Sequence, residues 1–398
     1  MMKGNALVGQ SGGPTSVINA SLQGVIRASR VSQDIRTLYG MRWGIEGFMQ
    51  NLLVNLSRQS HAVVDGLSRT PSSALGSSRY KLKDEDLPAI RAMLEKHDIR
   101  FFFLIGGNDT MDTVHRVEMY CRENGYELWG IGIPKTVDND LFGTDYTPGY
   151  PSAARYNALS VQQSGRLARD MQKVDSFVIY QTIGRDAGWL AAAGALARRE
   201  EGDPPHLIYC PERPFVKENL IADAQVCIAK WGYVSIVVSE GLKYPDGTPV
   251  SAAGGEAKDR FGNIEYGAMG GSSVAVNVHR ILSEATGLRG EFQIGESLPM
   301  CAMDRAVESD IERASGCGAE AVRIATAGES GYMVTIVRSG TGTFSFDKAP
   351  LSDVALRAKK MPDEMINERG NNVTDAFLEY ARPLVGRMPE YVSLEEEL

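Results

Sequence analysis

The chain has 398 residues, 43% hydrophobic and 23% charged, which is room for about two domains of roughly 150 residues each. Its 50 acidic against 42 basic side chains leave a net charge of −8, which excludes broad binding to nucleic acid or anionic lipid while allowing a small cationic pocket. Five scattered cysteines with no C-x-x-C pair indicate neither a disulfide framework nor a zinc site, and MMKGNALVGQ lacks the features of a signal peptide. No apolar run approaches the roughly 18 residues a membrane span needs, so a soluble cytoplasmic protein with reduced thiols and no membrane partner is expected.

The first predicted element is a strand at NALVG (5–9), followed by the turn QSGGPTS and a helix from about Val17 to Arg30. Gly12 and Gly13 end the strand, and Thr15 and Ser16 are suited to cap the helix, so backbone N–H groups point at any anion placed there. The spacing is not G-x-G-x-x-G, and an ordinary strand–helix turn accounts for this stretch equally well.

A second strand is predicted at FFFLIGG (101–107), leading into a helix over TMDTVHRVEMYCREN. The GGNDT loop between them (106–110) has the form used by several kinases that lack a Walker A sequence. Its glycines allow close approach to phosphate, yet Asp109 puts a negative charge at the tip. Asn108 and Asp109 offer oxygens to Mg²⁺, an ion that takes a few protein oxygens together with phosphate oxygens. Simple capping of the following helix is the alternative.

The strand LWGIGIP (128–134) runs into IPKTVDND (133–140), which gathers Lys135, Thr136, Asp138 and Asp140 in one loop. A base, a neighbour for metal-bound phosphate and a phosphate-holding cation are what phosphoryl transfer to a hydroxyl requires. Further strands are predicted at SFVIYQTIG (176–184), HLIYCP (206–211) and YVSIVVSEG (233–241). In TIGRDAGWLAA (182–192), Ile183, Gly184 and Arg185 follow a strand and precede an alanine-rich helix, as a second cleft wall would. Such runs, ending in Gly or Pro and separated by helices, predict parallel βαβ units with ligands at the carboxyl ends of the strands. Residues 242–267 read as a long excursion with a hairpin at PDG, and SLEEEL as a solvated acidic tail.

Taken in order and at these spacings, QSGGPTSVINASLQGVI, RTPSSALGSSRYKL (69–82), IGGNDTMDT, GIPKTVDNDL, TPGYPSAARY (147–156), IGRDAGWLAAAGALAR, VVSEG and NERGNNVTDAFLEYARPLVG (367–386) resemble the phosphofructokinase A family. They are most similar to its pyrophosphate-dependent branch. The resemblance implies an α/β protein of two doubly wound, Rossmann-like domains with the active site in the cleft between them. It implies a donor domain over 1–150, completed by about 300–355, an acceptor domain over 151–299 and a C-terminal helical extension over 356–398. It also implies Mg²⁺-dependent transfer of a phosphoryl group from pyrophosphate to a sugar-phosphate hydroxyl, nominally turning fructose 6-phosphate into fructose 1,6-bisphosphate, in a homodimer or homotetramer.

Carried over residue by residue, Asp138 is the base, with Lys135, Thr136 and Asp140 as its catalytic companions. Gly12, Gly13, Arg79, Gly107, Asp109 and Lys135 face the donor. Thr136, Ile183, Gly184, Arg185 and Glu240 face the acceptor, and Asn108 and Asp109 meet the metal. Nucleotide-using members carry glycine at the position of Asp109 and usually at that of Lys135, whereas pyrophosphate users tend to carry Asp and Lys. The physics agrees: a carboxylate at Asp109 repels an α-phosphate, and Lys135 suits pyrophosphate as a compact point charge.

Two departures stand out. Asn108 replaces the metal-associated Asp usual in the family. The Leu-x-x-Leu-Gln-Arg-like segment that grips the acceptor's 6-phosphate corresponds to RGEFQIGESLPMCAMDRAVESDIERA (289–314), where Leu298–Pro299 or Pro299–Met300 stands in place of Gln-Arg. The arginine expected just before the TIGR strand is also missing, with Ser176 nearest. Losing a bidentate arginine removes a strong anchor. Either the acceptor is another sugar or an unphosphorylated polyol, or Arg289, Arg305 or a neighbouring subunit holds its phosphate. GGNDT alone would also suit an ATP-dependent NAD or lipid kinase, which KTVDND and GRDAGWLAA speak against. Asn108 and the lost Gln-Arg would suit a non-catalytic metabolite sensor, which the retained base and lysine speak against.

Overall fold

In the computed structural model, residues 3–251, 273–340, 343–355, 357–392 and 394 are described. The chain lays down β1 (Gly4–Gln10), β2 (Ile35–Met41), β3 (Leu53–Asn55), β4 (Ile99–Gly106) and β5 (Trp129–Pro134), then β6 (Phe177–Thr182), β7 (Leu207–Tyr209), β8 (Val234–Ser239) and β9 (Gly290–Ile294), and finally β10 (Tyr332–Arg338) and β11 (Phe344–Pro350). These form a seven-stranded sheet in the order β11-β10-β5-β4-β1-β2-β3 and a four-stranded sheet in the order β7-β8-β6-β9. The smaller sheet is wholly parallel. The larger is parallel except for its edge strands β3 and β11, which pair antiparallel.

The alternation along β4 explains the double winding. Phe101, Phe103 and Ile105 enter one core with Leu22 and Val25 of α1 (Ile18–Val31). Phe102 and Leu104 enter the opposite core. There they meet Met111, Val114 and Val117, which belong to the helix Asn108–Glu123. A strand covered on both faces must be apolar throughout, which is why FFFLI and IVVS are continuous runs.

The remaining helices are α2 (Gly44–Met49), α3 (His61–Leu67), α4 (Leu87–Lys96), α5 (the Asn108–Glu123 helix), α6 (Tyr150–Asp170), α7 (Trp189–Ala192), α8 (Lys217–Trp231), α9 (Val274–Thr286), α10 (Glu308–Thr326), α11 (Leu351–Ala355) and α12 (Asp375–Val385). α1 and α10 touch through their backbones. A Cβ on Gly24 would lie 1.9 Å from the Ser315 carbonyl oxygen, and one on Gly318 2.1 Å from that of Ser21.

Two predicted elements differ. The alanine-rich helix after Arg185 is only the four residues of α7, tightening into a 3-10 turn over Ala193–Ala197. Every residue from Trp189 to Ala197 is buried, so packing against the smaller sheet overrides helix propensity. The expected C-terminal helical extension is mostly an irregular arm: over 357–392 the helical pieces are a 3-10 turn at Asp363–Met365 and α12. The PDG hairpin is present, with Lys243 bridging Pro249 antiparallel. The rest of the excursion, 252–267, and most of the acidic tail lie outside the described residues.

In the larger sheet the strand order reverses between β1 and β4, whose following loops therefore part and leave a crevice at their carboxyl ends. β6, β8 and β9 send their carboxyl ends to residues 183–185, 240 and 295–300.

Candidate active site

The crevice is floored by the loop after β1. Gly12 has φ +75°, the left-handed region that glycine enters freely, and its N–H donates to the Ser78 carbonyl at 3.3 Å. Ser77 returns a hydroxyl to the Gly12 carbonyl at 2.5 Å. Those two serines immediately precede Arg79, so the glycine loop and the Arg79 segment are stitched together. Next to them is a cavity of about 440 Å³ lined by Trp43, Glu46, Gln50, Ser77, Ser78 and Arg79.

Lys135 leaves the end of β5 and crosses the crevice. Its Nζ donates to the Gly13 carbonyl at 2.5 Å and stands 3.4 Å from where a Cβ on Gly12 would be. The side chain is buried at 2% exposure. Burial pushes its ammonium down to about 8, against the upward pull of Asp138 and Asp140, with Arg79 adding repulsion. Gly107, the N-cap of α5, faces the Lys135 carbonyl, and the Lys135 N–H donates to Gly106 at 2.9 Å.

Thr136 shapes the next turn, accepting from the Asp138 N–H at 3.1 Å. Asp138 is half-buried. Burial, then the charges of Asp140 and Glu240, push its carboxyl up to about 7, while Arg185 and Lys135 pull the other way. Asp140 is also raised by burial, with its own N–H and Lys359 opposing. Burial and the neighbouring charge of Asp140 thus put a proton acceptor near neutrality at Asp138.

Asn108, in the first turn of α5, donates from Nδ2 to Asp140 Oδ2 at 3.2 Å. Its Oδ1 is buried without a hydrogen-bond partner among the described residues. Asp109 is exposed one residue on. Among the described residues no group of three or more His, Cys, Asp or Glu side chains is arranged to hold a metal alone. An orphaned amide oxygen beside a carboxylate instead suits Mg²⁺ that arrives on phosphate oxygens.

Across the cleft, Gly184 has φ +127° and donates its N–H to Glu240 Oε1 at 3.2 Å. Arg185 Nε lies 4.0 Å from the same oxygen, a loose pairing. Ser239 donates to the Gly184 carbonyl at 2.5 Å, and Gly241 fits where a Cβ would fall 1.8 Å from the Arg185 carbonyl. The β6 and β8 ends are thereby fastened together. Ile183 is half-buried against the main core. Burial raises Glu240, and Glu296 adds to that rise.

The structure brings Gly12, Gly13, Gly107, Lys135, Thr136, Asp138 and Asp140 into one crevice, with Asn108 on Asp140, Arg79 close enough to repel Lys135, and Arg185 and Glu240 close enough to bias Asp138. Arg289 does not join them. It precedes β9, its carbonyl accepts from Ser176 N–H at the start of β6, and its guanidinium pairs with Asp175 at 3.4 Å, at the amino ends of the strands. Arg305 is engaged on α6, donating to Ser160 Oγ at 3.0 Å and lying over the Tyr156 ring. The ESLPM stretch forms a 3-10 turn over Leu298–Met300, and a Cβ on Gly13 would touch the Met300 methyl at 2.9 Å.

Sequence reasoning missed Lys359. It comes from the C-terminal arm, donates to the Thr144 and Asp145 carbonyls, and biases Asp140. Burial pushes its ammonium down to about 8, against the upward pull of Asp145 and Asp140. No motif marks it.

A family model described as phosphofructokinase matches residues 5–322. A pyrophosphate–fructose 6-phosphate 1-phosphotransferase of Halomonas elongata is 38% identical, over 97% of this chain and 92% of that protein. A sulfofructose kinase of Alkalicoccus urumqiensis is 33% identical, over 91% of this chain and 92% of that one. Among solved structures, a pyrophosphate-dependent phosphofructokinase from Nitrosospira multiformis superposes with a TM-score of 0.87 at 35% identity, covering 99% of this chain and 94% of its own.

Proposed function

The chain belongs to the phosphofructokinase family, and from that premise we propose that it moves a phosphoryl group from pyrophosphate to a sugar-phosphate hydroxyl, nominally the 1-hydroxyl of fructose 6-phosphate. The observation that carries this reading is one loop holding both a carboxyl raised to about 7, Asp138, and a buried lysine, Lys135, aimed at the glycine turn.

Asp138 takes the proton of the acceptor hydroxyl as its oxygen bonds to the terminal phosphorus. The bridging P–O bond breaks and orthophosphate leaves. Lys135, Arg79 and the N–H groups of Gly13 and Gly107 hold the donor, with Gly12 giving the turn its shape. Lys135 lowered to about 8 remains a cation at neutral pH, and a bound polyanion raises it again. Glu240, fixed by the Gly184 N–H, orients the acceptor together with Arg185. When bound, Mg²⁺ would neutralise donor charge, held by Asn108 Oδ1 and Asp109 along with phosphate oxygens. In this reading residues 1–150 with 300–355 serve the donor, 151–299 serve the acceptor, and the protein works as a homodimer or homotetramer.

A second reading keeps the donor and changes the acceptor. It is favoured by the Leu298–Met300 turn lying against Gly13 where the family's Gln-Arg would be, by Glu296 near Glu240, and by Arg289 pointing elsewhere. The test is acceptor-dependent release of orthophosphate from pyrophosphate over fructose 6-phosphate, sedoheptulose 7-phosphate, sulfofructose and free polyols. Efficient use of fructose 6-phosphate upholds the first reading, and a clear preference for another acceptor upholds the second. Near-full turnover by Asp138→Ala would sink the role given to the base.

A further inference from the structure

The loop that carries Asp138 does not hold itself in place. From Asp138 to Thr147 it has no regular secondary structure, and Asn139 within it is fully buried at φ +56°. Asn is among the few residues that tolerate this conformation, but something must hold it there.

Much of that support comes from the C-terminal arm. Ala358 bridges Leu141 in antiparallel fashion, and the Lys359 N–H donates to the Asp140 carbonyl at 2.7 Å. Lys359 Nζ donates to the carbonyls of Asp145 at 2.7 Å and Thr144 at 3.2 Å, and sits 5.3 Å from the centre of the Trp189 ring. Tyr380, in α12, donates its hydroxyl to the Asp145 carbonyl at 2.9 Å and accepts from Asn139 Nδ2 at 2.8 Å. Asn139 Oδ1 then accepts from the Thr147 N–H at 3.0 Å, closing the loop on itself.

We infer that Lys359 and Tyr380 are positioning residues for the base: the C-terminal arm clamps the backbone of residues 139–147 and so fixes where the Asp138 carboxylate stands. The kinetic part of this inference rests on Asp138 being the base, as proposed above. The clamp itself does not. Lys359 serves as a three-donor head that satisfies loop carbonyls, and Tyr380 as a hydroxyl that joins a side chain to a backbone carbonyl. Neither touches the glycine turn, so neither is expected to hold the donor.

The test uses the full chain with Lys359→Met, which removes the ammonium but keeps the stem, and Tyr380→Phe, which removes one hydroxyl and no charge. Each is expected to lower kcat by about ten- to a hundredfold with KM for pyrophosphate and acceptor held within about twofold, since a small misplacement of a reacting group costs this much. Lys359→Arg, which keeps cationic donors for the same carbonyls, is expected to recover part of kcat. Backbone hydrogen exchange of the same proteins, without substrate, should quicken over 138–147 and leave β4 and β5 unchanged. Unaltered exchange in the loop overturns the inference, and so does an equal rise across the strands. Unchanged kcat in an active enzyme overturns it as well. If the parent turns over with no acceptor, the reading of function fails, while local loosening of the loop still upholds the clamp and its absence still refutes it.

Discussion

Asn108 donates to Asp140 at 3.2 Å, and that single bond lets an amide and a carboxylate share a place where two carboxylates would repel. Asn108→Asp removes the donor and adds a second negative charge. The variant without metal should lose about 1–3 kcal/mol, the cost of breaking a hydrogen bond that serves a charged group. Added Mg²⁺ should raise its Tm more than it raises that of the parent. Thermal unfolding with and without Mg²⁺ decides, and equal shifts in both proteins would refute the role given to Asn108.

The raised carboxyl of Asp138 makes a paired forecast for pH and stability. A base works only when deprotonated, so turnover should fall as pH drops through about 7, well above the ordinary carboxylate value of 3.8. The same elevation means the folded state binds the proton more tightly than the unfolded chain. The stabilisation this gives is fully present below pH 3.8 and lost as pH rises through about 7. Asp138→Asn should therefore lower kcat by about 10²- to 10⁴-fold and raise Tm at pH 8. An acid limb near pH 4, or a lower Tm for the variant, would contradict this account.

The proposed preference for pyrophosphate over ATP can be tested at Asp109. Asp109 is the exposed acidic residue in the first turn of α5, and beside the glycine loop the cavity under Arg79 has about 440 Å³, within the size range of small-molecule sites. Asp109→Gly should raise ATP-supported turnover by about tenfold or more, the outcome expected on losing a charge proposed to repel a nucleotide's α-phosphate. Steady-state rates with ATP and pyrophosphate at fixed acceptor measure it. No gain with ATP would remove Asp109 from the explanation.

Gly241→Ala tests the fastening of the acceptor side. The new methyl would fall 1.8 Å from the Arg185 carbonyl, a backbone atom that yields only if the loop moves. Overpacking of this kind costs about 1–3 kcal/mol. A lower Tm together with a raised acceptor KM and an unchanged pyrophosphate KM is expected, and a parallel rise in both KM values would speak against a separate acceptor wall.

The sequence was most readable where chemistry is written contiguously at a strand end. GGNDT and KTVDND each sit on one turn, and neighbours in the chain there are neighbours in space. Arg289 misled because a sequence run does not say which end of a strand faces the cleft, and parallel pairing of β9 with β6 puts it at the far end. Lys359 was invisible for another reason. It reaches Thr144 from 215 residues away, out of an arm with no periodicity to mark its contacts. The four-residue α7 shows the same limit, since an alanine run signals a long helix and only burial on every side cuts it short.

The glycine contacts between α1 and α10 carry a mechanical consequence. Moving either helix by one residue would bring Gln23 or Val25 opposite the Ser315 carbonyl, and neither leaves room for it. Shear along this pair is therefore blocked, and the two helices travel as one slab with the strands they cover. The glycine turn at residues 12–13, which leads into α1, therefore has a rigid mount behind it.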